Sequence, residues 1–208
     1  MEISPEKLAY WYLRLNGFLT IENFLIHPET RRDSSTDVDI LGVRFPFRKE
    51  NLSRPMEDDI KRLAVPDSQI YILVVEVKSV ECSLNGPRTR HEKKNMQKVL
   101  AAVGALAEAR LDEVASALYS NGRFQSDDRV VSLCCIGRSR SELIEKKFPE
   151  VPQVVFSEIL GFVYQRLKNY QREKAQHEQW DEHGKALWNW TMSPHSIKDF
   201  LDSVKVRP

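Results

Sequence analysis

Ile70-Tyr71-Ile72-Leu73-Val74-Val75-Glu76-Val77-Lys78 is the stretch on which the fold turns. A short apolar run rich in β-branched residues fits a strand covered on both faces. Two opposite charges follow at its C-terminal end, separated by one apolar residue. Side chains alternate along a strand, so Glu76 and Lys78 share a face, roughly 6–7 Å apart. Charged groups are rarely set at the end of a core strand without a partner or a task. The plainer alternative is a solvated ion pair, which contributes about 1 kcal/mol or less. The functional alternative is a carboxylate that holds a metal beside an ammonium that holds an oxyanion, a pairing suited to phosphodiester cleavage.

Thr36-Asp37-Val38-Asp39-Ile40-Leu41-Gly42-Val43 supplies a partner for this pair. It also reads as a strand, with Asp37 and Asp39 on one face and Asp39 directly before the apolar half. If the two strands pair, Asp39, Glu76 and Lys78 converge at one point on the sheet. Two neighbouring carboxylates repel unless a cation intervenes. A hard divalent cation with oxygen ligands, Mg2+ or Mn2+, is the simplest resolution, held by Asp39, Glu76 and the backbone carbonyl of Val77. Lys78 would orient a metal-bound water or neutralise charge on the phosphoryl oxygens. Asp37 is a reserve ligand, or merely caps the strand entry.

Working outward, Ser4 to Asn16 reads as a capped helix closed by Gly17, and Phe18 to His27 as a strand. A polar turn over 31–36 leads into a strand over 37–45. The long segment 46–68, with prolines at 46, 55 and 66, carries a short helical candidate over 56–63. A strand over 70–80 and a turn over 83–89 lead to a helix over 91–110, on which Met96, Val99, Leu100, Val103 and Leu106 recur at helical spacing. A short helix over 111–118 and strands over 129–136 and 153–156 follow, and Ser157 is placed as the cap of the next helix. The order is αββ, a loop, then βαββα.

Asp39 before one apolar strand and Glu76-x-Lys78 on the next resemble the PD-(D/E)xK nuclease superfamily. Val38 stands where the proline that names the motif would be. The stretch Ser4 to Phe18, with a helical glutamate, Glu6, ahead of the Gly17-Phe18 pair, is similar to the Holliday junction resolvase-like branch. The resemblance implies an α/β fold with a restriction-endonuclease-like core, a mixed central β-sheet flanked by helices. It implies a nuclease-like core over 1–160. It also implies a Mg2+- or Mn2+-dependent deoxyribonuclease, serving in restriction, repair, recombination or defence against mobile DNA. Glu6 would add a ligand or hold a metal-bound water, although the helix macrodipole alone favours a carboxylate there. Gln97 or Lys94, on the helix after the central strand, would complete the site.

The chain has 208 residues and a formal net charge of +1, so DNA binding must rest on a local patch. The stretch Arg88 to Lys98 offers one, with Arg88, Arg90, Lys93, Lys94 and Gln97 facing phosphates, or else a solvated helix face. Arg44, Arg48, Lys49 and Arg54, in or beside the long loop, could close over a substrate. Cys82, Cys134 and Cys135 have no paired spacing, which favours a reducing compartment and argues against structural zinc. The five histidines lack metal-ligand spacing and read as surface or capping residues. No apolar stretch approaches 18 residues and no signal peptide precedes the first helix, so a cytoplasmic location without membrane is expected.

Residues 161–208 read as a helical, Trp-rich C-terminal extension, packed on the core or on a partner. Tyr170 to Gln179 would prolong the preceding helix, Trp180, Trp188 and Trp190 cluster around Gly184, and Ser193-Pro194 would open a last helix. The aromatics either cover the core, dock a partner subunit or stack unpaired bases. Endonuclease is favoured over exonuclease because no threading domain is visible. DNA is the expected partner, with RNA a further substrate option, a homodimer suited to cutting two strands, and a recruiting or activating protein a further expectation. The alternative is a catalytically silent or partner-activated nucleic-acid-binding module with the same fold.

Overall fold

The computed structural model describes residues 2–27, 36–175, 181–193 and 196–207. In chain order the elements are β1 (Glu2–Ile3), α1 (Pro5–Leu15), β2 (Leu19–Ile26), β3 (Thr36–Arg44), β4 (Ile70–Val77), α2 (Gly86–Thr89) and α3 (Asn95–Val103). After a 3-10 turn at Glu108–Arg110 come α4 (Leu111–Asn121), β5 (Arg123–Gln125), β6 (Arg129–Gly137), α5 (Glu142–Lys147) and β7 (Gln153–Val155). Then α6 (Phe156–Asn169), α7 (Gln171–Ala175), α8 (Glu182–Met192) and α9 (Ile197–Ser203) precede β8 (Lys205–Val206).

The main sheet runs β2-β3-β4-β6-β5, with β7 also on β6. β2, β3 and β4 form an antiparallel meander, while β6 runs parallel to β4 and β7 parallel to β6. The chain is therefore α/β, with a mixed central sheet flanked by helices. β4 shows why its sequence is continuously apolar. Tyr71, Leu73, Val75 and Val77 join a core containing α1 and α6 residues, and Ile72 and Val74 join a second core with α3 and α4. Helices cover both faces.

Ser4 starts α1 as its residue type predicts, its hydroxyl accepting the Lys7 N–H at 3.2 Å, with Pro5 in the first turn. Gly17, at φ +80°, ends the segment. The expected helix over 91–110 is shorter. Lys94 adopts a left-handed φ of +49° and α3 starts only at Asn95; Gly104, at φ +68°, closes it. α6 begins one residue before Ser157, with the Glu158 carboxylate accepting the Val155 N–H at 3.1 Å. Residues 56–63 form no helix; a turn there buries Leu63, whose carbonyl accepts the Tyr71 hydroxyl at 2.8 Å. Tyr170 separates α6 from α7, and the rest of the expected extension (176–179), Trp180, Pro194 and the polar turn over 31–35 lie outside the described residues.

The long loop is clamped to the body by charge. Asp58 accepts hydrogen bonds from Arg44 at 2.8 Å, Arg48 at 2.6 Å and Arg166 at 2.7 Å, and Arg166 also reaches Glu50. Arg44 and Arg166 are buried, so Arg44 and Arg48 are spent inside this clamp rather than closing over a substrate as expected. Lys49 and Arg54 remain exposed. Burial pushes the Asp58 carboxyl up, but the guanidiniums around it outweigh that and hold it below the usual carboxylate range. A depressed carboxylate contributes stability that is present above the unfolded value of about 4 and is lost as pH falls through the folded value. The urea midpoint of the wild type is therefore expected to fall as pH drops from 5 through the carboxylate range. Asp58→Asn should start lower at pH 7 and fall less over the same range; parallel curves would show that the clamp carries no linkage.

The C-terminal helices pack on the core that α1 builds. Leu187, Phe200 and Val204 are buried in it, with Trp188 and Trp190 half-buried against it. Trp11 Nε1 donates to Asp181 Oδ1 at 3.0 Å, and a Cβ on Gly184 would stand 2.2 Å from the Trp11 ring, so this contact admits only glycine. The first and last strands, β1 and β8, pair in parallel at Glu2↔Lys205 and Ile3↔Val206. Among the described residues, no helix is long and apolar enough to cross a membrane.

Candidate functional site

The carboxyl end of β4 is where the chain collects its charges. β3 runs antiparallel to β4 with Ile40 opposite Val75. One step further along, Asp39 Oδ2 accepts the Val77 N–H at 2.7 Å. That contact ties the first carboxylate to the strand end that carries the second. The face of β4 that holds Ile72 and Val74 also presents Glu76 and Lys78, toward α2 and α3. Lys78 Nζ lies 3.0 Å from Glu76 Oε2 and donates to Asn85 Oδ1 at 3.0 Å. The main chain is fixed as well, since the Lys78 N–H donates to the Ile136 carbonyl of β6 at 2.8 Å.

Asp39, Glu76 and Lys78 are thus brought together as their order in the sequence implies. A fourth group joins them. Arg88, on α2, is 1 % exposed, and its Nε stands 3.0 Å from Glu76 Oε1. Its guanidinium also donates to the Asp37 carbonyl on β3. Glu76, likewise 1 % exposed, is therefore held between two cations. Burial raises its carboxyl above the ordinary range; Arg88 and Lys78 pull it back and the nearby Asp39 adds to the rise. With two carboxylates and two cations, the cluster is close to neutral.

The remaining expected site residues are dispersed. Glu6 sits half-buried in the first turn of α1 and makes no hydrogen bond or ion pair with the cluster among the described residues. Asp37 contributes its carbonyl, not its carboxylate. Arg88, expected to face phosphates, is buried on Glu76 instead, because an ionised carboxylate inside the fold demands a counter-charge. Arg90, Lys93 and Lys94 are exposed in the turn before α3. Gln97 is half-buried and donates from Nε2 to Asp112 Oδ1 at 3.3 Å, while its Oε1 is buried with no hydrogen-bond partner among the described residues.

The donors suit a hard divalent cation in type, since Asp39, Glu76 and the Val77 carbonyl offer only oxygen. Their present commitments limit the fit: Glu76 has one oxygen on each cation, and Asp39 Oδ2 holds a backbone N–H. Among the described residues, no group of three or more His, Cys, Asp and Glu side chains is arranged to hold a metal. Cys82, Cys134 and Cys135 are all free and buried.

Comparison with protein-family models, curated proteins and solved structures gives no match. The site is read from its own chemistry. Sequence reasoning missed Arg88 and Asn85 as members of it. The only signal was a buried strand-end carboxylate that needs a counter-ion, and nothing in the sequence distinguishes Arg88 from its neighbour Arg90 for that task.

Proposed function

We propose that the chain is a metal-dependent nuclease of the PD-(D/E)xK kind, hydrolysing DNA phosphodiester bonds as an endonuclease. The observation that carries this reading is the convergence of Asp39, Glu76 and Lys78 at the carboxyl end of β4. The topology supports it: a helix, an antiparallel three-strand meander, then a helical crossover to a parallel strand. Ligands of open α/β sheets bind outside the carboxyl ends of the strands. A bound Mg2+ or Mn2+ would polarise the scissile phosphate and lower the pKa of an attacking water. Asp39 and Glu76 would hold that cation. Lys78, fixed through its main chain on β6 and its ammonium on Asn85, would place positive charge where the phosphoryl oxygens gain negative charge. Arg90, Lys93 and Lys94 would meet flanking phosphates.

The commitment of both Glu76 oxygens to Arg88 and Lys78 favours a second reading, a partner-activated or catalytically silent nucleic-acid-binding module of the same fold. Cleavage of matched single-stranded, duplex, branched and RNA oligonucleotides with Mg2+, Mn2+ or EDTA separates the two. Cation-dependent cutting of DNA that EDTA stops is the expected result. Binding without cutting under every condition would replace the nuclease reading with the second one.

A further inference from the structure

The three parallel strands β4, β6 and β7 end at one edge of the sheet, and the charge cluster occupies only part of it. Next to the cluster, on the opposite face, lies a groove of about 520 Å³. The half-buried Leu201 lines it, over a floor formed by the largely buried Phe156, Leu160 and Val204. Arg138, Lys205 and Arg207 bring three cations to its lining, against one acid, Glu2, which pairs with Arg207 at 2.9 Å. Ser157, exposed in the first turn of α6, adds a hydroxyl and the positive end of a 14-residue helix.

Arg138 joins groove and cluster physically. Its Nε donates to the Ser79 carbonyl, one residue beyond Lys78, at 3.3 Å, and its other end donates to the Val206 carbonyl at 3.3 Å. The groove and Lys78 thus lie on opposite faces at the same end of β4, with Arg138 between them. A paired duplex backbone has no use for an apolar floor, whereas an unpaired base does; proteins hold single strands in positively charged grooves that also give the bases a surface to rest on, here Leu201 and the edge of Phe156. The volume falls within the ~300–1,000 Å³ of small-ligand pockets.

We infer that this groove binds an unpaired nucleotide of the substrate, adjacent to the scissile phosphate. The inference rests on the nuclease reading and narrows its substrate to single-stranded, flapped or branched DNA. The test is fluorescence anisotropy with a labelled 12-nucleotide single strand and a blunt duplex of the same sequence, in Ca2+ to prevent cutting. The Lys205→Gln/Arg207→Gln double variant removes two exposed cations, and with them the Arg207–Glu2 pair, without setting like charges against Glu2, and Ser157→Trp fills the groove mouth without touching charge. Both variants are expected to bind the single strand at least about tenfold more weakly than wild type, with duplex binding changed less than about twofold. The charge variant should also lower the salt slope by roughly 1.4, at about 0.7 per lost phosphate contact.

Unchanged single-strand binding, or equal losses for strand and duplex, would overturn the inference and leave the nuclease reading intact. Groove-dependent binding by a wild type that never cuts with Mn2+ would do the reverse.

Discussion

Asp39→Ala and Lys78→Ala are each expected to lower Mn2+-dependent nicking of supercoiled plasmid by about 10²–10³-fold or more. The two losses have different origins. Asp39 is a charge near the strand end as well as an acceptor for the Val77 N–H at 2.7 Å, so truncation also uncaps β4. Asp39→Asn keeps an acceptor there and removes the charge, and it should be as inactive as Asp39→Ala while unfolding close to the wild-type temperature. Lys78→Ala leaves Glu76 with Arg88 as its remaining counter-ion, so the fold should survive and the loss should appear in the rate. Initial rates read beside thermal unfolding curves separate the two effects. Wild-type rates in either variant would remove the cluster from the chemistry.

Arg88→Ala is expected to destabilise the protein by about 3–5 kcal/mol, because it removes the buried counter-ion of a desolvated carboxylate and leaves that carboxylate only the more exposed Lys78. Most of that cost belongs to the uncompensated Oε1 of Glu76 rather than to the pair itself. A double replacement, Glu76→Leu with Arg88→Met, should therefore recover most of the loss in urea unfolding. Arg88→Met alone adds a second readout. If Glu76 ligates a cation, Mn2+ should raise the unfolding temperature of Arg88→Met by more than it raises that of wild type, since the guanidinium no longer competes for Oε1. A loss below about 1 kcal/mol in Arg88→Ala would mean that water reaches Glu76 and that the pair behaves as a surface contact.

How much of this was legible in the sequence depends on the range of the interactions involved. β4 was readable because burial on both faces leaves a run of apolar residues that no other local structure explains. α1 was readable because Ser4, Pro5 and Gly17 each act within a turn or two. Asp39, Glu76 and Lys78 were readable because strand alternation fixes their faces. The start of α3 was hidden by Lys94, which takes a left-handed conformation that its residue type does not announce. The clamp on the long loop was hidden for a different reason. Asp58 and Arg166 stand 108 positions apart, and nothing in either neighbourhood names the other. Arg88 fell between these cases, since a basic residue after the site reads equally as a phosphate contact or an internal counter-ion.

The pairing of β1 with β8 has a consequence for the order in which the molecule assembles and opens. Closing Glu2 onto Lys205 requires nearly the whole chain to be in place, and the entropy of such a closure rises with the length enclosed. Contacts of such long sequence separation are late in folding. This one is also brief, two residues on each side, continued by the Arg207 N–H on the Ile3 carbonyl at 3.0 Å. The same residues form one wall of the groove. That wall is accordingly expected to open at a lower free energy than the main sheet does. Amide exchange at Ile3, Val206 and Arg207 then measures how often the groove loses a wall. A strand held there would slow that exchange without touching the amides of β4.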